Sequence, residues 1–305
     1  MPRKLLPLGA LLALCMFWAL GWVRADLEPG ASGLWLVSSL AAQTAVLGAL
    51  AVVASGAALL RRAEWPASAM VLRATLVGIG LFAVPALVAI GGSGRVGDTT
   101  RVALFSLTPL FAVIFEPYLG INAAEGDESR GAFLAAMAAI AGTFLVFPVE
   151  LPHSYATAFV MLLVVATAAL IAAANCAAVR MARQSPSIFT FTAAASGSAA
   201  LVLGILGLAV RQQAAGSAAL GAWSALDVSA LALLFWLMPR MSAVQITTRF
   251  LIAPLMANVM SLALLRPHVD VQSWIGLLLI AAGSARLLIA PAESGQSGLF
   301  RVGDG

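Results

Sequence analysis

The feature that most constrains the fold of this chain is a succession of long stretches that contain no charged residue. A helix needs about 20 mostly apolar residues to cross the hydrocarbon core of a bilayer. Six uncharged stretches have about that length or more: 5–23, 29–60, 74–94, 131–149, 154–179 and 184–210. Each of them predicts a membrane-spanning helix.

Four further stretches carry one charge each and are otherwise apolar. They are 102–124 with Glu116, 212–239 with Asp227, 241–265 with Arg249, and 271–290 with Arg286. The sequence therefore predicts ten spans in an all-α polytopic membrane protein. Composition agrees: 62% of the residues are hydrophobic and 10% are charged, against about 45–50% and about 25% in soluble domains.

The basic residues lie singly at the ends of the apolar stretches and form no patch for a nucleic acid, although the net charge is +4. With the first span uncleaved and the N-terminus inside, more of them fall on the cytoplasmic side, which predicts that both termini are cytoplasmic. That side holds Arg3, Lys4, Arg61, Arg62, Arg130, Arg180, Arg183, Arg240, Arg286 and Arg301. The outer side holds Arg24, Arg95, Arg101, Arg211 and Arg266. An alanine-rich chain whose single lysine is Lys4 indicates a GC-rich bacterial genome, and hence the bacterial inner membrane.

The ten predicted spans divide into two five-span halves, 1–150 and 151–290, followed by a flexible cytoplasmic tail at 291–305. Thr108-Pro109-Leu110 in the first half corresponds to Ala253-Pro254-Leu255 in the second, and a glycine-bounded run follows each of them. An odd number of spans inverts the second copy relative to the first. Inverted repeats are a common plan for alternating access, with the substrate site near the midplane between the halves.

These motifs resemble the EamA-type members of the drug/metabolite transporter superfamily. The run that begins at Arg101 and contains Pro109 is similar to the fourth span of that family, and the run from Phe250 through Pro254 is similar to the ninth. Phe17-Trp18-Ala19-Leu20-Gly21 is similar to the first span, and Phe235-Trp236 to the end of the eighth. The resemblance implies ten helices around a central cavity, which spans 1, 3, 4, 6, 8 and 9 line, and transport of small organic solutes, frequently outward.

Charges inside the hydrocarbon are costly and mark candidate functional residues. Glu116 is either a proton-coupling or cation-binding carboxylate, or a structural partner near the wet inner interface. Arg249 either binds a substrate carboxylate or phosphate through its planar fork, or pairs with Glu116 or Asp227. Asp227 either faces the cavity or marks the outer rim. Arg101, near the end of its span, is expected to extend to the interface.

Further candidates are polar, aromatic or proline residues inside the spans. Pro109 and Pro254 each lack a backbone N–H and are predicted hinges. Asn175 and Asn258 are predicted to contact the solute in the cavity, although such amides often only join helices. Trp18 either lines the cavity or belongs to an aromatic belt.

The function predicted from these features is secondary transport of small organic solutes such as amino acids, metabolites or drug-like molecules, with protons as the candidate coupling ion. No phosphate-binding Gly-rich loop with Lys occurs, which argues against ATP as the direct energy source. The residues predict no catalytic site, metal or cofactor. A non-transporting scaffold and a membrane enzyme acting on a lipid-linked substrate are the alternatives.

Overall fold

The computed structural model describes residues 2–27, 40–92, 94–119, 127–209, 222–265 and 270–289. Its helices are α1 (Pro2–Leu27), α2 (Leu40–Leu60), α3 (Ser68–Gly78), a π-helical turn (Ile79–Ala83), α4 (Val84–Gly91), α5 (Asp98–Phe105), α6 (Thr108–Tyr118), α7 (Asp127–Val146), α8 (Tyr155–Gln184), α9 (Ile188–Ala209), α10 (Ala222–Leu237), α11 (Ala243–Thr247), α12 (Arg249–Leu265) and α13 (Val271–Ile289). The predicted tail at 291–305 lies outside the described residues.

Eight helical segments of the described chain are long and apolar enough to cross a membrane. Three of these segments consist of shorter helices joined end to end. They are Ser68–Gly91, built from α3, the π-helical turn and α4, Asp98–Tyr118, built from α5 and α6, and Ala243–Leu264, built from α11 and α12. The expected helical fold is confirmed for the described residues, and its long apolar helices are consistent with a polytopic membrane protein.

The fifth and eighth predicted spans correspond to shorter apolar helices, Arg130–Val146 and Ala225–Leu237. The helix α7 itself runs from Asp127 to Val146, and Arg130–Val146 is the part of it whose side chains the structure describes. The eighth was expected to begin near Ala219, which falls outside the described residues. Ten membrane crossings therefore stay a prediction for these two segments.

The fourth span is broken between α5 and α6. Hydroxyl groups satisfy carbonyls at this break: Ser106 Oγ donates to the carbonyl of Ala103 at 2.6 Å, and Thr108 Oγ1 donates to that of Phe105 at 2.7 Å. Pro109 lies in the first turn of α6, where a missing N–H costs no helical hydrogen bond. Pro109 thus begins a helix instead of bending one.

The ninth span is broken in the same way, between α11 and α12. Thr247 Oγ1 donates to the carbonyl of Ala243 at 2.9 Å, and Thr248 Oγ1 donates to that of Gln245 at 2.6 Å. Thr248 is the residue between the two helices, whereas Pro254 lies in the interior of α12. The break therefore precedes the predicted hinge residue and depends on threonine hydroxyls.

The helices pack in pairs around an apolar core. α2 lies against α9, α7 against α13, and α1 against α10 and α12, while α8 contacts α3, α4, α5 and α6. Phe235 lies 5.8 Å from Phe82 and 5.9 Å from Phe191, measured between ring centroids, at the centre of the larger core cluster.

The close packing of α7 against α13 depends on glycine. A Cβ at Gly142 would lie 2.6 Å from the carbonyl oxygen of Gly276, and a Cβ at Gly283 would lie 2.5 Å from that of Ala135. Small residues let membrane helices approach this closely. The glycine-bounded runs by which the two halves resemble each other thus pack against one another.

Candidate functional site

A cavity of about 50 Å³ lies between α1, α5, α8 and α12. A buried water needs roughly 10–15 Å³ of such volume, so there is room for about four waters. We call it the central cavity, and its lining residues are Trp18, Trp22, Arg101, Val102, Phe105, Ile171, Arg249, Phe250, Ala253 and Pro254. The lining is aromatic and aliphatic apart from two arginines.

Arg249 is the most deeply buried charged residue of this lining, with 1% of its surface exposed. Its Nη1 donates to the Oδ1 of Asn175 and to the carbonyl of Ile246, both at 3.1 Å. Among the described residues no carboxylate contacts the guanidinium, and its Nε has no hydrogen-bond partner. The charge is thus held by neutral groups, and hydrogen-bonding capacity remains.

Aromatic faces complete the surroundings of this arginine. Its guanidinium carbon lies 4.7 Å from the ring centroid of Phe250 and 5.5 Å from that of Trp18. Rings at this distance attract a cation through the negative charge on their faces. Trp18, which is 6% exposed, therefore lines the central cavity.

Asn175 is fully buried on α8, and its own helix orients it. The side-chain amide donates to the carbonyl of Ile171 at 2.7 Å, which leaves Oδ1 directed at Arg249. Since that oxygen accepts from the guanidinium, Asn175 fixes the position of Arg249 from the facing helix. Asn175, Arg249 and Trp18, three of the predicted site residues, thus lie together.

Arg101 differs from the sequence-based expectation. It is only 5% exposed and does not extend to the interface. Its Nη1 donates to the carbonyl of Ala89 at 3.0 Å, and its Nη2 forms an ion pair with Asp98, one turn earlier on α5. The buried carbonyl of Ala89 draws the guanidinium inward, and Arg101 lines the central cavity.

The two broken spans meet beside the cavity through a pair of stacked phenylalanines. Phe105 of α5 and Phe250 of α12 have ring centroids 6.4 Å apart and planes 25° apart. Phe105 precedes Pro109 by four residues, and Phe250 precedes Pro254 by the same number. The residues that precede the two prolines by the same spacing are thus in contact at the cavity wall.

No protein-family model matches the sequence, and no curated protein matches it either. Sixteen chains of solved structures match its fold. One of them, a crystal structure of a protein, covers 93% of this chain and 99% of its own with a TM-score of 0.67 at 16% sequence identity. At this identity the match shows a shared fold over nearly the whole length of both chains.

Glu116 lies outside the lining of the central cavity. It is 7% exposed, and its carboxylate accepts a hydrogen bond at 3.2 Å from the backbone N–H of Ala243, the first residue of α11. The contact joins the C-terminal part of the fourth span to the start of the ninth.

Two other predicted residues also lie away from the cavity. Asn258 donates to the carbonyl of Pro254 at 2.9 Å, within α12, so its amide supports the helix past the proline. Asp227 is half-buried on α10. Of the three predicted charges, only Arg249 is among the described lining residues of the central cavity.

A second cavity of about 390 Å³ opens beside the C-terminal part of α8. Its lining residues are Arg73, Leu76, Val77, Leu119, Ala177, Arg180, Met181 and Gln184. It begins at Ala177, six residues past Ile171 of the central cavity, which is about 9 Å along the helix.

The described chain contains no cluster of three or more potential metal ligands.

Proposed function

We propose that this protein is a secondary-active transporter of small organic solutes that works by alternating access, of the EamA type within the drug/metabolite transporter superfamily. The observation that carries the proposal is the meeting of two broken spans at a cavity that contains a buried arginine. Broken helices at matched positions of two halves are the usual mark of a carrier's binding site.

The helix contacts support an inverted repeat of five spans. If a two-fold axis relates the halves, every contact must have a counterpart with the halves exchanged. The contacts α2–α9 and α7–α13 each join equivalent spans, α1–α12 corresponds to α6–α8, and α3–α9 corresponds to α2–α10. All of these counterparts are present, as expected when equivalent helices occupy equivalent places.

The two cavities favour alternating access over a fixed pore. In the orientation predicted from the basic residues, the termini are cytoplasmic in a bacterial inner membrane, the central cavity lies on the outer side, and the second cavity opens on the cytoplasmic side. A solute would bind between them at Arg249, and rocking of the halves about the stack of Phe105 and Phe250 would expose it to each side in turn.

A mixed-solute release assay tests the proposal. Purified protein is placed in liposomes loaded with carboxylic acids, amino acids, nucleobases and sugars, with and without a pH gradient, and solute loss is compared with protein-free liposomes. Selective loss of one class is the expected result. If folded protein releases no solute from such a panel, the non-transporting scaffold becomes the better account.

Replacing Glu116 with Gln is expected to abolish proton-driven accumulation and to preserve exchange down a solute gradient. The amide oxygen of Gln can still accept from the N–H of Ala243, so the contact between the spans survives, whereas the titratable group is lost. The measurement is uptake of the solute under an imposed pH gradient, with solute exchange measured on the same liposomes.

The matched control is Glu64→Gln, which removes an exposed carboxylate and should leave driven uptake unchanged. Full proton-driven uptake by Glu116→Gln would show that this carboxylate only holds the two spans together.

A further inference from the structure

We propose that the central cavity selects a small organic monoanion, a carboxylate that carries no amino group, with Arg249 as its anion-binding residue. The inference deepens the proposed function and rests on it for the transport step. Binding itself can be measured without transport.

The described lining of the central cavity contains two arginines, and only one of them has an acidic partner. Arg101 is neutralised by Asp98, whereas the partners of Arg249 are a neutral amide, a carbonyl and two aromatic faces. The described lining therefore carries one uncompensated positive charge. A single carboxylate would balance it, whereas a phosphate dianion would leave a buried negative charge without a partner.

The hydrogen-bond geometry of Arg249 also suits a carboxylate. The Nε of Arg249 has no acceptor within the described chain, and a guanidinium edge matches the two oxygens of a carboxylate. The first turn of α12 lines the same cavity, and the N-terminal end of a helix carries partial positive charge. Both features favour a bound anion.

The lining of the central cavity also disfavours solutes that carry a positive charge. No acidic side chain is among its described lining residues, so an ammonium group on the solute would find no carboxylate. The remaining walls are the rings of Trp18, Trp22, Phe105 and Phe250 with aliphatic neighbours. An apolar body fits this lining, and an amino acid or a cationic drug does not.

The size of the central cavity limits which ligands can be used to test the proposal. Room for about four waters admits a carboxylate with a short chain. Butyrate, butyramide and 4-aminobutyrate form a matched series of similar size that differs mainly in charge. Affinities for the purified protein in detergent can be compared by ligand-observed saturation-transfer NMR, a method suited to weak binding. Butyrate should bind at least about tenfold more tightly than either analogue.

The decisive variant is Asn175→Asp. It has nearly the size of the parent residue and places a carboxylate beside the Nη1 of Arg249, so the protein itself supplies the anion. The new carboxylate cannot donate to the carbonyl of Ile171 as the amide does, so folding is checked by the melting temperature. Butyrate affinity of the folded variant should fall at least about tenfold. Asn175→Ser is the control, because it leaves the charge of the site unchanged. It should retain more of the butyrate affinity than Asn175→Asp does. The difference between the two variants shows whether the loss of butyrate affinity is electrostatic.

The outcomes separate this inference from the proposed function. Equal binding of butyrate and butyramide, or unchanged butyrate affinity in Asn175→Asp, would overturn the anion site. Selective butyrate binding without release of any solute from liposomes would uphold the site and contradict the carrier. Release of neutral or cationic solutes by protein that does not bind butyrate would uphold the carrier and overturn the anion site.

Discussion

Replacing Arg249 with Gln is expected to reduce the rate of solute transport at least about 30-fold. Truncating one partner of a buried, hydrogen-bonded charge pair costs roughly 2–5 kcal/mol, and each 1.4 kcal/mol is about a factor of ten in affinity. Arg249 is the buried cation of the central cavity that is held by neutral groups only, so its loss removes the main attraction for the solute. The measurement is initial uptake into liposomes at matched protein content.

Two further variants make this result interpretable. Arg249→Lys keeps the charge but loses the planar fork, and it should retain part of the activity. Arg95→Gln removes an exposed arginine outside the cavity and should transport like the parent protein. If folded Arg249→Gln protein transports at the parent rate, Arg249 is a structural charge and the solute binds elsewhere.

Replacing Gly78 with Ala is expected to destabilise the protein strongly, although the change adds only one methyl group. Gly78 lies at the end of α3, where that helix crosses α9, and a Cβ there would overlap the backbone carbonyl of Ala195. An added methyl in a packed core costs typically about 1–3 kcal/mol. The cost at Gly78 should reach the upper part of that range, because the obstacle is backbone and cannot turn aside.

Gly48→Ala is the control for this prediction. Gly48 lies inside α2, and a Cβ there meets no atom of the described structure within 4 Å. Alanine favours the helix by roughly 0.5–1 kcal/mol relative to glycine, so this variant should be as stable as the parent or slightly more so. The measurement is the midpoint of thermal unfolding in detergent. Equal midpoints for Gly78→Ala and Gly48→Ala would contradict the close crossing of α3 and α9.

Much of the fold follows from the sequence, because the bilayer imposes one simple requirement. Each long apolar stretch must satisfy its backbone hydrogen bonds internally, and a helix does so. Predicted stretches such as 74–94 and 154–179 accordingly contain helix along most of their length. The ends of the helices were less predictable. The helix α3 begins at Ser68, before the predicted stretch 74–94, and includes the exposed Arg73. The long side chain of Arg73 lets the helix continue past the apolar stretch.

The helix breaks were only partly predictable. Proline marked the right regions of the fourth and ninth spans, but the interruptions lie at Ser106 and Thr248. Hydroxyl groups that bond to nearby carbonyls compete with the helical hydrogen-bond pattern. Ser and Thr are common within these apolar spans, so this signal does not identify a break without the fold around it.

Single unusual residues indicated only part of the candidate site. Arg249 and Trp18 line the central cavity, and Asn175 contacts Arg249 from outside its described lining, whereas Glu116 and Asp227 are not among the lining residues. A rare charge in an apolar span stands out in the sequence, but which face of its helix meets the cavity depends on packing between distant spans.

Among the cavity residues that sequence reasoning missed are Trp22, Arg101, Phe105 and Phe250. Trp22 follows Trp18 by four residues and so shares its helix face, and each phenylalanine precedes a matched proline by four residues. These spacings could have identified Trp22, Phe105 and Phe250 from the sequence. The inward turn of Arg101 depends on the carbonyl of Ala89 on another helix, which the sequence does not reveal.

The most direct test of alternating access is the reciprocal labelling of two introduced cysteines. The native thiols, Cys15 and Cys176, are buried and are first replaced by Ala. A single cysteine is then introduced at Val102 in the central cavity or at Val77 in the second cavity, and labelling with a membrane-impermeant maleimide is followed in each protein, with and without the transported solute. A solute-driven rise in labelling at one position with a fall at the other is the predicted result. Solute-independent labelling at both positions, in protein that still releases solute, would contradict alternating access between these cavities.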